Sequence, residues 1–125
     1  KTLYVAQTTK RVVSRFEQNG TMSDWTFRDS INVNSNVDNL EWADNGSLMI
    51  GSHPKIFDFV AHAKDTSKHS PSEVIRLDVT GETMTYESIY LNGGEQISGS
   101  SVASSYKDQL LIGPVIDDHF IRCKM

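Results

Sequence analysis

Most of this chain alternates apolar and polar residues with a period of two, the spacing of a strand with one buried face. Leu3 and Val5 alternate with Thr2 and Tyr4 across Thr2 to Ala6, and Thr8-Thr9-Lys10 then turns the chain. Arg11 to Glu17 is a second, β-branched strand ending at Asn19-Gly20, and Ser23 to Ser30 a third that carries Trp25 and Phe27. Val37 to Ala43 and Ser47 to Gly51 flank Asp44-Asn45-Gly46. Asn-Gly between alternating runs is the strongest short-range hairpin signal, because both residues tolerate positive φ. Glu73 to Val79 and Thr83 to Leu91 are strands around Thr80-Gly81, and Asn92-Gly93-Gly94 turns the chain again. Ser100 to Tyr106 and Gln109 to Val115 form a hairpin about Lys107-Asp108, and His119 to Lys124 is a last strand. One segment departs from the pattern. Ile56, Phe59, Val60 and Ala63 recur at helical spacing within Lys55 to Lys64, which predicts a short helical insert.

About ten short strands with regularly spaced turn signals make the fold class all-β: a sandwich, barrel or propeller. Internal similarity chooses among these. Leu3-Tyr4-Val5-Ala6, Leu48-Met49-Ile50-Gly51 and Leu110-Leu111-Ile112-Gly113 are each an apolar strand ending in a small residue. A repeat on the order of 40–50 residues with about four strands is a propeller blade. Two to three blades cannot close a ring, and the first repeat lacks the strand that should precede Thr2. Residues 1–125 therefore read as the C-terminal portion of a single, larger β-propeller domain. The N-terminal portion is expected as a companion, since open sheet edges on their own invite aggregation.

Composition changes this picture little. A hydrophobic fraction of 38% and a charged fraction of 22% are those of a globular protein. The net charge of −4 and the lack of any basic run argue against a nucleic-acid partner. No apolar run approaches the ~20 residues of a membrane-spanning helix, and membrane association stays open. The single cysteine, Cys123, has two readings: a buried free thiol, or half of a disulfide whose partner lies outside this sequence.

The chemistry gathers at one end of the Val37–Gly51 hairpin. Antiparallel pairing about the Asn45-Gly46 turn brings Asp38 and Asn39 beside Gly51, Ser52 and His53. A carboxylate, an amide oxygen and an imidazole then share one strand end. Such groups could also hold a hard cation through their oxygens. Adjacent residues of a regular strand face opposite sides, so both reach one ion only where the backbone is irregular. The alternative is an Asx turn that merely opens a strand. His53, before Pro54, is either a surface turn residue or a pocket residue that orients substrate or shuttles a proton. His62, His69 and His119 read as solvated. Gly99 to Ser104 lacks the Gly-x-Ser-x-Gly elbow of a serine hydrolase and reads as a small-residue inner strand.

Six segments in this order resemble the C-terminal third of the paraoxonase/arylesterase family. They are Val37-Asp38-Asn39, Leu48 to Pro54, Pro71 to Arg76, Gly99 to Lys107, Leu110 to Gly113, and Cys123. The resemblance implies a six-bladed propeller with two calcium ions in its central tunnel. It implies hydrolysis of lactones, aryl esters and some phosphotriesters. Carried over residue by residue, Asp38 and Asn39 match ligands of the catalytic calcium. His53 matches a pocket histidine, Phe57 and Phe59 match aromatic pocket positions, and Val115 and Ile116 match apolar ones. Cys123 matches the C-terminal half of a disulfide to an upstream cysteine, and with it comes an extracytoplasmic setting, secreted or periplasmic. The remaining calcium ligands and the water-activating histidines of the family fall upstream of Lys1. There are departures. The His53–Phe57 segment is shorter than in animal members, Ser52 stands in place of a free cysteine, Phe59 of a tyrosine and Ile116 of a phenylalanine. The helical stretch is closer to microbial members. The expected function is calcium-dependent hydrolysis of lactones or aryl esters. A non-catalytic calcium-binding propeller module and a strictosidine-synthase-like propeller enzyme are the alternatives.

Overall fold

A computed structural model describes all of residues 1–125. The chain forms β1 (Thr2–Gln7), a 3-10 turn (Thr8–Lys10), β2 (Val12–Gln18), β3 (Trp25–Asn32), β4 (Asn36–Trp42) and β5 (Leu48–His53). The helix α1 (Ile56–Lys64) follows, then β6 (Ser72–Asp78), β7 (Thr85–Asn92), β8 (Ser100–Tyr106), β9 (Gln109–Pro114) and β10 (Ile121–Lys124). Every predicted strand and the helical insert are present. Where ends differ, they differ by a residue or two.

All strand pairs are antiparallel and neighbours in sequence, giving three sheets: β1-β2-β3, β4-β5-β6-β7 and β8-β9-β10. The architecture is that of propeller blades, and the second sheet is a complete four-stranded one. It is sandwiched between the other two. Leu48, Ile50, Ile75 and Leu77 project from one face and join Val13, Val33, Val37 and Met84 in a buried cluster against the first sheet. Met49 and Val74 project from the other and join Ile97, Ala103, Leu110 and Ile112 against the third. This explains why Leu48-Met49-Ile50 is an unbroken apolar run, since a strand covered on both faces has no polar side. Burying such side chains contributes roughly 1.5–3 kcal/mol each.

Two polar devices tie the sheets together. Arg15, 1% exposed, forms a bidentate pair with Asp29 on the neighbouring strand, at 2.5 and 2.7 Å. It also donates to the carbonyls of Val79, Gly81 and Glu82 in the β6–β7 turn, so it bridges the first two sheets. The Arg15 guanidinium holds the Asp29 carboxyl below the usual carboxylate range. Between the second and third sheets, the buried Ser100 hydroxyl donates to Ser52 O at 2.9 Å, with Glu73 O 3.2 Å away, and accepts from the Glu73 N–H. Ser52 itself links Ser35 and the Glu73 carbonyl.

The β4–β5 turn differs from the predicted one. Only Gly46 has positive φ, at 82°, while Asn45 does not. Gly46 N–H bonds to Ala43 O and Ala43 N–H to Ser47 O, so the loop is a β-turn closed by a glycine bulge. The Asn45 side chain instead accepts from the Ser47 N–H and hydroxyl. Asn19-Gly20 likewise belongs to a longer loop, closed by the Asn19 N–H to Asp24 O bond.

Candidate functional site

The end of the β4–β5 hairpin away from its turn carries a β-bulge. Asn36 pairs with His53, Val37 with Ser52 and Leu40 with Ile50. Asp38 and Asn39 thus oppose the single residue Gly51. Hairpin pairing predicts Asp38 and Asn39 beside Gly51, Ser52 and His53; Gly51 is indeed opposite them, while Ser52 and His53 pair with Val37 and Asn36. The bulge corrects that register and supplies the backbone irregularity that two adjacent side chains need to converge. Asn39 Nδ2 lies 3.4 Å from Asp38 Oδ1.

A third residue joins them. Ser101 on β8 donates its hydroxyl to Asp38 Oδ2 at 2.8 Å, and Asn39 Nδ2 donates to Ser101 Oγ at 2.8 Å and to Ser101 O at 3.2 Å. The sequence reading missed Ser101, treating its strand only as a small-residue run. The signal was there in the smallness: β8 approaches β5 so closely that a Cβ on Gly51 would stand 2.2 Å from Ser101 C and 2.3 Å from Val102 N. Only glycine permits that approach, and the approach delivers Ser101 to the bulge.

His53 is 3% exposed and follows Ser52 at the end of β5. Its Nε2 lies 3.5 Å from Asp38 Oδ2, and its Nδ1 is buried without a hydrogen-bond partner. Asn36 Oδ1, on the residue paired with it, is likewise buried and unpartnered. Burial pushes the His53 imidazole below its ordinary range, and the Asp38 carboxylate opposes that shift. The Phe59 ring stacks on the imidazole, with centroids 4.0 Å apart and planes 19° from parallel.

The remaining predicted residues lie around this cluster rather than in it. Phe57 points outward at 85% exposure and does not reach the His53–Phe59 stack. Val115 and Ile116, at 49% and 37% exposure, follow β9 beside Gly99, where Val115 N–H bonds to Gly99 O. Gly99 in turn abuts the Phe59 ring. Cys123 is a free, half-buried thiol packed beside the second apolar cluster. His119 and His69 are exposed as expected, but His62 is fully buried, against the expectation that it is solvated.

As a cation site, the bulge offers a carboxylate, an amide, a hydroxyl and a carbonyl, all hard oxygen donors. The Asn39 amide now turns its nitrogen toward Asp38, and rotation by half a turn about its last torsion presents Oδ1 in the same place. The donor set fits calcium in kind but not in number. The acidic component is one carboxylate, and no three His, Cys, Asp or Glu side chains gather at one point. An open cleft of about 510 Å³ lies at the turn end of the hairpin among Asn45, Arg76, Asp78 and Glu87. None of Asp38, Asn39, His53, Phe59 and Ser101 lines it, and its polar lining is a solvated surface rather than a pocket wall.

The chain is similar to proteins of known family. The human serum paraoxonase/arylesterase 1 is 32% identical over 122 residues, which are 92% of this chain and 32% of that protein. Serum paraoxonase/arylesterase 2 of Bos taurus is 32% identical over 118 residues, covering 90% of this chain and 32% of its own. Serum paraoxonase/lactonase 3 of Oryctolagus cuniculus is 31% identical over 117 residues, covering 92% and 32%. The chain spans about a third of the length of these curated relatives. The arylesterase family profile matches residues 1–125 from end to end, and the chain belongs to the arylesterase family.

Proposed function

We propose that residues 1–125 are the C-terminal two to three blades of a six-bladed propeller that hydrolyses aryl esters or lactones with the help of calcium. The observation that carries the reading is the convergence of Asp38, Asn39 and Ser101 at the bulge, beside a buried histidine stacked on Phe59. Asp38 and Asn39 hold the cation, and their shortfall of ligands is made up by residues of the N-terminal portion. A calcium ion held there would supply Lewis acidity toward a substrate carbonyl.

The other roles fall to this chain's own residues. Ser101 and the bulge fix the direction of the Asp38 carboxylate. Asp38 faces His53 Nε2 and so favours the tautomer with the proton on that nitrogen. Nδ1 is then an unpartnered acceptor in a dry site, able to hold a proton. Phe59 walls the imidazole and keeps water from it, and Val115 and Ile116 extend the apolar surface from the last blade. The relatives' serum names support an extracytoplasmic setting, in which Cys123 pairs with an upstream cysteine.

The test is hydrolysis of an aryl ester and of a lactone by the complete protein, before and after chelation and after restoring calcium. The reading expects loss on chelation and recovery with calcium. Full activity in protein shown by metal analysis to be calcium-free would sink it.

A further inference from the structure

The helix α1 is nine residues long and its one buried residue is His62, not an apolar one. A helix this short is marginal by itself. No side chain caps its N-terminus at Lys55, and Val60 and Phe57 on its surface stay exposed. What docks it is the face shared by Phe59 and His62, three residues apart. Both rings meet Gly99: a Cβ there would lie 3.1 Å from Phe59 Cδ2 and 3.7 Å from His62 Cδ2. Gly99 has φ of 66°, a conformation that keeps side chains out of this contact.

His62 meets a polar group at each nitrogen and is hydrogen-bonded at one. Nδ1 lies 2.6 Å from Lys68 O, and since a carbonyl only accepts, Nδ1 carries a proton and donates it. Nε2 lies 3.3 Å from Asp117 Oδ1, in the loop after β9. That contact is close enough for an ion pair but is not aligned as a hydrogen bond. Asp117 is anchored from the other side, because Oδ2 accepts the Ser98 N–H at 2.9 Å. His62, Asp117, Ser98 and Gly99 thus connect the helix to the rim of the third sheet, and Phe59 on the same helix face lies over His53.

We propose that His62 and Asp117 are positioning residues: their pair clamps α1 to the third sheet and thereby sets Phe59 against His53. The inference rests on the reading of His53 and Phe59 as pocket residues. It adds that the pocket wall is fixed from a point outside the pocket, by a pair that no apolar packing replaces.

The test uses the complete protein carrying 13C-labelled histidine. Asp117→Ala and His62→Leu are expected to shift the His53 ring resonance downfield, as the stacked Phe59 ring leaves it. With an aryl ester as substrate, they are expected to raise KM by about 2- to 10-fold, the worth of one aromatic stack, with a smaller change in kcat. His62→Gln keeps a donor for Lys68 O but cannot also reach Asp117, and gives the same two changes in a milder variant. Asp117→Asn removes the charge that faces Nε2 but keeps the Ser98 contact, and is expected to give the same two changes in smaller measure. Adding Asp117→Ala to Phe59→Leu raises KM no further than Phe59→Leu alone. Unmoved His53 resonance and KM in Asp117→Ala and His62→Gln would overturn the clamp, as would additive effects in the double variant. A wild-type protein that hydrolyses no ester defeats the functional reading instead, and the His53 resonance then decides the clamp alone.

Discussion

Replacing Gly51 by alanine puts one methyl group between two backbones. The added carbon would lie 2.2 Å from Ser101 C, 2.3 Å from Val102 N and 2.5 Å from Ser101 O. An ordinary contact begins near 3.4 Å, so β8 must retreat from β5 by about 1.2 Å, and none of the obstructing atoms is a flexible side chain. Overpacking of this kind costs about 1–3 kcal/mol, and backbone obstruction places Gly51→Ala at the upper end. The retreat also acts on the site. It takes the 2.8 Å bond from Ser101 Oγ to Asp38 Oδ2 to about 4 Å, beyond hydrogen-bond reach. Misplacement on this scale can lower activity by on the order of 10²-fold. The assay is denaturant unfolding of the complete protein alongside aryl-ester turnover. Gly46→Ala is the control: nothing lies within 4 Å of its added carbon, but its φ of 82° is strained for alanine. It should cost about 1 kcal/mol and leave turnover unchanged. If Gly51→Ala matches the wild type in both stability and turnover, the close β5–β8 approach is not what delivers Ser101.

Other consequences are checked in the same unfolding and turnover assays. Asp29→Ala leaves the buried Arg15 charge with only carbonyl partners and should destabilise by about 3 kcal/mol. Because Arg15 depresses the Asp29 carboxyl, the stabilisation from that pair is present above the ordinary carboxylate range. It should fade only as pH falls through the lower, folded-state value, and Asp29→Ala should lack that part of the acid transition. Ser100→Ala strips the Glu73 N–H of its partner and should cost about 1–3 kcal/mol. Phe59→Leu removes the ring over His53 and should raise KM for an aryl ester more than it lowers kcat.

Strand positions and the helical insert were legible because each is a local pattern: alternation, turn residues and helical spacing. The bulge was only half legible. Asp38 and Asn39 were recognisable as a pair that needs irregular backbone, but a one-residue register change leaves no mark in a sequence whose alternation resumes at Leu40. Ser101 and Arg15 were illegible for a different reason. Their roles come from elements far apart in the chain, β8 on β4 and β2 on the β6–β7 turn, and a serine in a small-residue strand looks the same whether or not it meets a carboxylate. His62 misled because a histidine on a short polar-tailed helix is usually solvated. Its burial depends on Asp117, which no local pattern links to it.

The central claim is that the Asp38 bulge holds the calcium on which hydrolysis depends. The most direct measurement is calcium stoichiometry and aryl-ester turnover in the complete protein with Asp38→Ala. The account predicts loss of one tightly bound calcium and of turnover together, with the fold retained. A folded Asp38→Ala protein that keeps wild-type calcium content and full turnover contradicts it.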